Sequence, residues 1–593
     1  MVATKETKQR GKARGRGKSG AAPAVAGTRG SPAAPPATER ATDRAAARPK
    51  PAKVGAREAG RRIRGLADTA ETIEVRRRLR QLARQVARGP GNVQRLAYLE
   101  TQINACLDEA TAGGMARDRW SLCEAATWGL GWMARTKRAG GSAGGLLERL
   151  VQQARAAHLA LAGRDTLPAR FVLVLARLFQ DIEACRCLEE PAMAAVREEI
   201  DRLVTATGAV GLSGSAVVLD RVVRWSRVRE AGLATGPQPW DDATETRWQS
   251  AATAALRLLG GRGRMLAGAG RLPACFSAPL LDAVAAGVGR GEQAAARTAR
   301  GLVRGRIPGR VLPRSAHDPA AAVAVLRSGW DRGGVRVLLE FREATPRLEI
   351  AVDDRLLMDG PWRWAVWAEG RPLDAEGTWA VSCWESDRKA SFLEIVAPLA
   401  GGLQLERQVV VLPDEKLVFL ADAVTPRSGG AAAVQSLHYR GTLPLAGGLD
   451  CGREEETREF VVSDTVTRCM VLPLALSEWR TAGRGTFAAT ADGLTLEQPG
   501  AVRLYAPLWI DCDAKRIGRP RTWRQLTVAD TRIILPPHQA AGFRVQAGLE
   551  QWLVYRALDA PRNRTLLGCN VSCEFLLGRV KRSGEVARTL EIQ

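Results

Sequence analysis

The sequence predicts an α+β multidomain chain: an all-α region of helical hairpins (an incomplete α/α toroid), then an antiparallel β-sandwich, with a disordered basic tail in front. Three observations predict it. Residues 1–64 carry 17 Lys/Arg against 4 Asp/Glu and almost no large apolar side chain. Residues 65–305 repeat their apolar side chains at helical spacing. After a Pro/Gly-rich linker at 306–319, residues 320–593 change to period two. Helices first and strands second segregate into separate layers or domains.

The tail holds too little apolar surface to offset its ordering entropy, so it is expected to be disordered. Its excess of 13 positive charges leaves 11 of the net +24 to the other 529 residues. Lys/Arg clusters release counterions on nucleic acid, which makes the tail a candidate arm for nonspecific association with nucleic acid or another anionic polymer. No aromatic residue lies among its basic ones, so base stacking has no platform there. The plain alternative is a solubilising extension. Beyond the tail only five lysines occur, and the Ala/Arg/Gly-rich composition resembles a GC-rich coding bias.

In the helical region, Glu74 to Ala87 places Val75, Leu79, Leu82 and Val86 on one helix face,. Gly89-Pro90-Gly91 stops that helix. Further helices are expected at about 95–112, 117–137, 143–162, 168–188, 191–206, 214–231, 242–259, 277–288 and 291–304, with Asp241 or Asp242 as the N-cap of the one after Trp240,. Short connections and the absence of a fixed-period repeat favour paired antiparallel helices over a solenoid. In the β region, Val335, Val337 and Leu339 alternate, as do Leu348, Ile350 and Val352. Leu405 to Val411 and Lys416 to Ala423 flank Pro413-Asp414-Glu415 as a hairpin,.

Several classes are disfavoured. The eleven cysteines contain no C-x-x-C, so no zinc ribbon is expected, and no metal or cofactor is indicated,. The first residues lead into charge rather than an apolar h-region, and no run approaches 18 apolar residues,. The expectation is therefore a cytoplasmic chain without membrane insertion; nothing indicates an oligomeric state. Gly15, Gly17 and Gly20 spell G-x-G-x-x-G with no strand before them. Gly140 to Gly144 spells G-x-S-x-G between two helices, where a nucleophile elbow needs a strand,.

Ala324 to Asp331 with the strand Val335 to Phe341, then Leu348 to Gly360 ending at Asp359-Gly360-Pro361, resemble the opening of the heparinase II/III-like β domain. Arg407 to Val424 is similar to its later hairpin, with an arginine opening one strand and Asp422 closing the next. The resemblance implies a helical toroid and β-sandwich that contact an acidic glycan in the groove between them. It also implies a Tyr or His that moves protons in a β-elimination beside a charge-neutralising group. Where that family has a His-x-Asp-type stretch between the first two strands, this chain reads Arg342 to Arg347 with no histidine, and no tyrosine occurs between Tyr98 and Tyr439. The family's catalytic motif is degenerate here, so the rival reading is a non-catalytic scaffold of lyase-like fold.

His438 and Tyr439 are the one adjoining pair of acid–base residue types and so the catalytic candidates,. On a strand they face opposite ways, so joint action would need a bulge or loop, and a structural role is the alternative. Arg221, Arg224, Arg227 and Arg229 with Trp225 form a basic helical stripe able to bind an acidic glycan or phosphate, or else a solvated face paired with Asp220 and Glu230,. Trp362 and Trp364, on one side of a strand, could stack sugar rings or pack the sandwich core,.

Overall fold

A computed structural model describes residues 55–593 apart from 68–69, 90–92, 113–114, 136–141, 206–214, 260–293, 295–296, 299–300, 302–311, 331–332, 353–354, 428–433 and 482. The basic tail up to residue 54 and the helix expected at 277–288 thus lie outside the described residues, as does most of the one expected at 291–304. Ten described helices precede the first strand: α1 Ala56–Ala67, α2 Ile73–Ala87, α3 Val93–Thr111, α4 Ala116–Met133, α5 Ser142–Ala162, α6 Ala169–Leu178, α7 Glu183–Arg186, α8 Glu189–Leu203, α9 Ser215–Thr235 and α10 Asp242–Arg257. The four apolar residues foreseen on α2 are all buried. Asp241 caps α10, its carboxylate accepting from the Thr244 N–H at 2.8 Å,.

Three sequence expectations need correction. Residues 56–64, read as tail, form most of α1, whose Ala59, Gly60 and Ile63 are buried. The contact depends on small side chains: a Cβ on Gly60 would lie 2.7 Å from the Ala87 Cβ and 2.8 Å from the Ala83 carbonyl oxygen. Ala, Gly and Arg in sequence look alike in a tail and in a close helix crossing. The helix expected over 168–188 is two, because Phe179 leaves helical geometry (φ −121°, ψ 39°) just after Arg177 is fixed to the carbonyl oxygens of Gly232 at 2.8 Å and Pro237 at 2.6 Å. The linker ends early, since the strand Ala316–Asp318 pairs with Val323–Arg327.

The β region is layered. The hairpin Leu403–Leu412 and Leu417–Pro426 lies inside an eight-stranded antiparallel sheet. Pleating sends Leu405, Val409 and Val411 to one face and Val410 and Leu412 to the other. The first face packs against two five-stranded sheets, one of them running from Ala316 to Pro361 and the other containing Leu437–Leu443 and Arg363–Ala368. The second face packs against a sheet built from Arg521 to Ile592. Both faces are buried, so the polar side chains these strands carry, Arg407, Gln408 and Asp422 among them, are buried as well.

Helical and β regions belong to one compact unit, Pro51–Gln593. Trp330, in the loop after Val323–Arg327, belongs to the helical core. Arg336 donates to the Leu258 carbonyl at 2.8 Å and Arg327 to that of Arg257, so two β-region guanidinium groups meet the C-terminal end of α10. No described helix is long and apolar enough to cross a membrane.

Candidate functional site

The arginine stripe is a network of buried and half-buried ion pairs. Glu199 on α8 is its hub, accepting from Thr166 at 2.6 Å, the Trp225 indole at 2.8 Å and Arg221 at 2.7 Å. The structure therefore brings Arg221 and Trp225 together on one carboxylate. Trp225 is sealed in the helical core and offers no face to a ligand, which corrects its reading as a substrate-binding member of the stripe. Arg224 and Arg117 share Asp220, at 3.0 and 2.6 Å. One turn further on, burial, and after it the positive Arg170, pushes Arg227 down to about 10. Arg117 and Arg221 keep 28% of their side chains exposed and Arg224 keeps 16%.

α9 runs antiparallel to α10: Arg229 bonds Glu245 at 2.9 Å, and the Trp248 indole bonds Ser226 at 3.2 Å. Arg221 and Arg224, in the first half of α9, thus lie toward the end of α10 where Arg327 and Arg336 join the β region.

His438 and Tyr439 sit on the strand Leu437–Leu443, and no bulge interrupts its pairing. They face opposite sides. His438 packs its ring 5.3 Å from that of Trp367. Tyr439 enters the sandwich core and donates its hydroxyl hydrogen to Asp422. Arg407 and Asp422, paired across the central hairpin, bond through Nε–Oδ1 and Nη2–Oδ2, each 2.8 Å, with both side chains wholly buried. Arg407 also donates to the Trp362 carbonyl at 2.8 Å and stacks on the Trp362 ring at 3.8 Å. Burial, then the negative Asp422, holds the Tyr439 hydroxyl far above its ordinary range. A hydroxyl so placed cannot reach a polymer. The catalytic pair does not converge, because successive strand residues point apart. Trp362 is enclosed with Tyr439, and Trp364 is partly buried against the same core, so neither presents a clear sugar platform.

A second buried charge cluster escaped the sequence reading. Arg556 reaches Glu394, Glu406 and Glu574 at 3.2, 2.5 and 2.8 Å between the central sheet and the sheet behind it. The three carboxylates are close enough to hold a metal ion. The Arg556 guanidinium already occupies their centre, however, and although burial opposes it, they raise its proton affinity. Glutamates spread over 180 residues gave no spacing signal in the sequence.

No protein-family model and no curated protein sequence matches the chain. Solved structures do. The heparan sulfate lyase HepC from Pedobacter heparinus aligns over 83% of this chain and 84% of its own, with TM-score 0.54 and 10% identity. A heparinase III with methylated lysines aligns over 82% and 83%, with TM-score 0.54 and 10% identity. A further heparinase III structure gives 81% and 82%, 0.53 and 9%. The chain therefore has a polysaccharide-lyase type of fold, helical first and β-sandwich second. In particular, the fold is that of heparinase III.

Proposed function

We propose that this protein binds an acidic polysaccharide without eliminating it, holding the polymer along the seam between its helical and β regions. The observation that carries the reading is the position of the arginine stripe on a heparinase III fold. Arg117, Arg221 and Arg224 are partly exposed toward the end of the helical region that meets the β region. A guanidinium has five N–H donors in a fixed fork suited to carboxylate and similar oxyanions, and its ion-pair partner here engages only some of them. One structural neighbour is named as a lyase of heparan sulfate, an acidic glycan, which supports that ligand class. Elimination needs a proton-transfer group within hydrogen-bond reach of substrate. The core position of Tyr439, with His438 on the opposite face, supports binding without turnover.

The test measures retention on immobilised heparin alongside ultraviolet absorbance of unsaturated product on a panel of uronate polymers. A chain starting at residue 55 is run in parallel to remove the basic tail. The expected result is retention of both forms, weakened by Arg221→Gln with Arg224→Gln, and no absorbance gain. Turnover on any uronate polymer overturns the absence of elimination. Retention of the shortened chain that ignores the double substitution overturns the seam.

A further inference from the structure

We propose that Arg453, Arg458 and Arg480 form a separate binding site for a tetrahedral oxyanion, carried as a sulfate or phosphate group, at the edge of the β region. The site is assembled by strand pairing. Thr457 bridges Trp479, the Arg458 N–H bonds the Glu478 carbonyl at 3.1 Å, and the Arg480 N–H bonds the Glu456 carbonyl at 2.9 Å. That short ladder sets the two arginines side by side. Arg453 joins them from the end of the strand Asp450–Arg453, at the margin of the eight-stranded sheet.

The three arginines line a cavity of about 440 Å³, together with Phe460 and Thr486 among others, and no Asp or Glu is part of its lining. Arg458 and Phe460 point into the cavity, whereas Glu459 and Val461 line a different one,. Arg458 donates to the carbonyl oxygens of Gly485 at 3.1 Å and Arg480 at 3.2 Å. Arg480 donates through Nε to the Glu454 carbonyl at 3.2 Å, and its Nη2 is buried without a hydrogen-bond partner. A buried guanidinium nitrogen without an acceptor is costly, and an anion in this cavity would supply one. Burial, and after it the neighbouring Arg453 and Arg458, lowers the proton affinity of Arg480 against the opposing pull of Glu459. An anion would relieve that repulsion. Several guanidinium forks converging on one cavity suit an ion with several equivalent oxygens.

Isothermal titration of the full chain with sodium sulfate, and separately with sodium phosphate, against chloride at matched ionic strength tests the site. Saturable binding of one or both ions is expected, weakened about tenfold or more by Arg480→Gln and by Arg453→Gln, since each removes charge-assisted hydrogen bonds. Arg453 is exposed, so its substitution keeps the test usable if Arg480→Gln disturbs the fold. The stronger ion identifies the source, a sulfate ester or a phosphate group. Arg453→Gln and Arg480→Gln are expected to weaken the titration to the same degree in a chain that also carries Arg221→Gln and Arg224→Gln, which separates this site from the seam. Absence of saturable binding, or binding indifferent to Arg453→Gln and Arg480→Gln, would overturn the proposal.

Discussion

Replacing Arg407 by methionine removes the cation from a carboxylate that has no route to water. Asp422 accepts two hydrogen bonds from Arg407 and one from Tyr439, and both members of the ion pair have 0% side-chain exposure. Breaking a buried pair by removing one partner costs about 3–5 kcal/mol, a large part of the roughly 5–15 kcal/mol that holds a domain folded. Tyr439→Phe removes one hydrogen bond to the charged group and should cost about 1.5–3 kcal/mol. Arg407→Met combined with Asp422→Leu leaves no stranded charge, and such apolar replacements are often neutral or stabilising by about 1–4 kcal/mol. The double variant should therefore recover most of what Arg407→Met loses, short of the contact between Arg407 and the Trp362 ring. Urea unfolding followed by tryptophan fluorescence reads the order, provided the slope with denaturant is unchanged. A double variant as unstable as Arg407→Met would refute the stranded-charge argument, as would an Arg407→Met loss below about 1 kcal/mol.

Four further outcomes are expected. Gly60→Ala should overpack the α1–α2 contact and cost about 1–3 kcal/mol in urea unfolding, whereas a truly unstructured residue 60 would tolerate it,. Burial holds the hydroxyls of Tyr439, Tyr505 and Tyr555 above the ordinary tyrosine value of about 10,. The unfolded chain then loses these protons first, so the stability they contribute is complete below about pH 10 and declines as pH rises beyond it. A spectrophotometric titration should accordingly show three of the four tyrosines ionising only as the fold is lost, and reversible ionisation of those three in the folded protein would contradict this. Burial pushes the Cys106 and Cys123 thiols up to about 12, so a maleimide at pH 8 should label exposed Cys187 and reach those two only after denaturation,. Deleting residues 1–54 should abolish retention on duplex DNA and leave the helical and β regions folded, and equal retention of both forms would make the tail a solubilising extension.

The helix spans and the central hairpin were legible because local periodicity encodes them. Val75, Leu79, Leu82 and Val86 mark one helix face by spacing alone, and Pro413 to Glu415 marks the turn. α1 was not legible, because its contact is made by what Gly60 lacks. The Arg407 and Asp422 positions were visible as a hairpin motif, but their complete burial follows from the sheets closing over both faces, which no local pattern reports. Strand alternation correctly foretold that His438 and Tyr439 point apart. Glu199, Arg556 and the Arg453–Arg458–Arg480 cavity carry no sequence signal, since each is assembled from segments that only tertiary pairing joins.

The junction at α10 has a mechanical consequence. The last carbonyl groups of a helix carry partial negative charge and lack partners within the helix. Here Arg327 and Arg336, borne by the β region, approach the carbonyls of Arg257 and Leu258. A jaw-like opening of the two regions at this point would strip the helix terminus and both guanidinium groups in the same motion. The two regions are thus pinned to each other at the C-terminal end of α10.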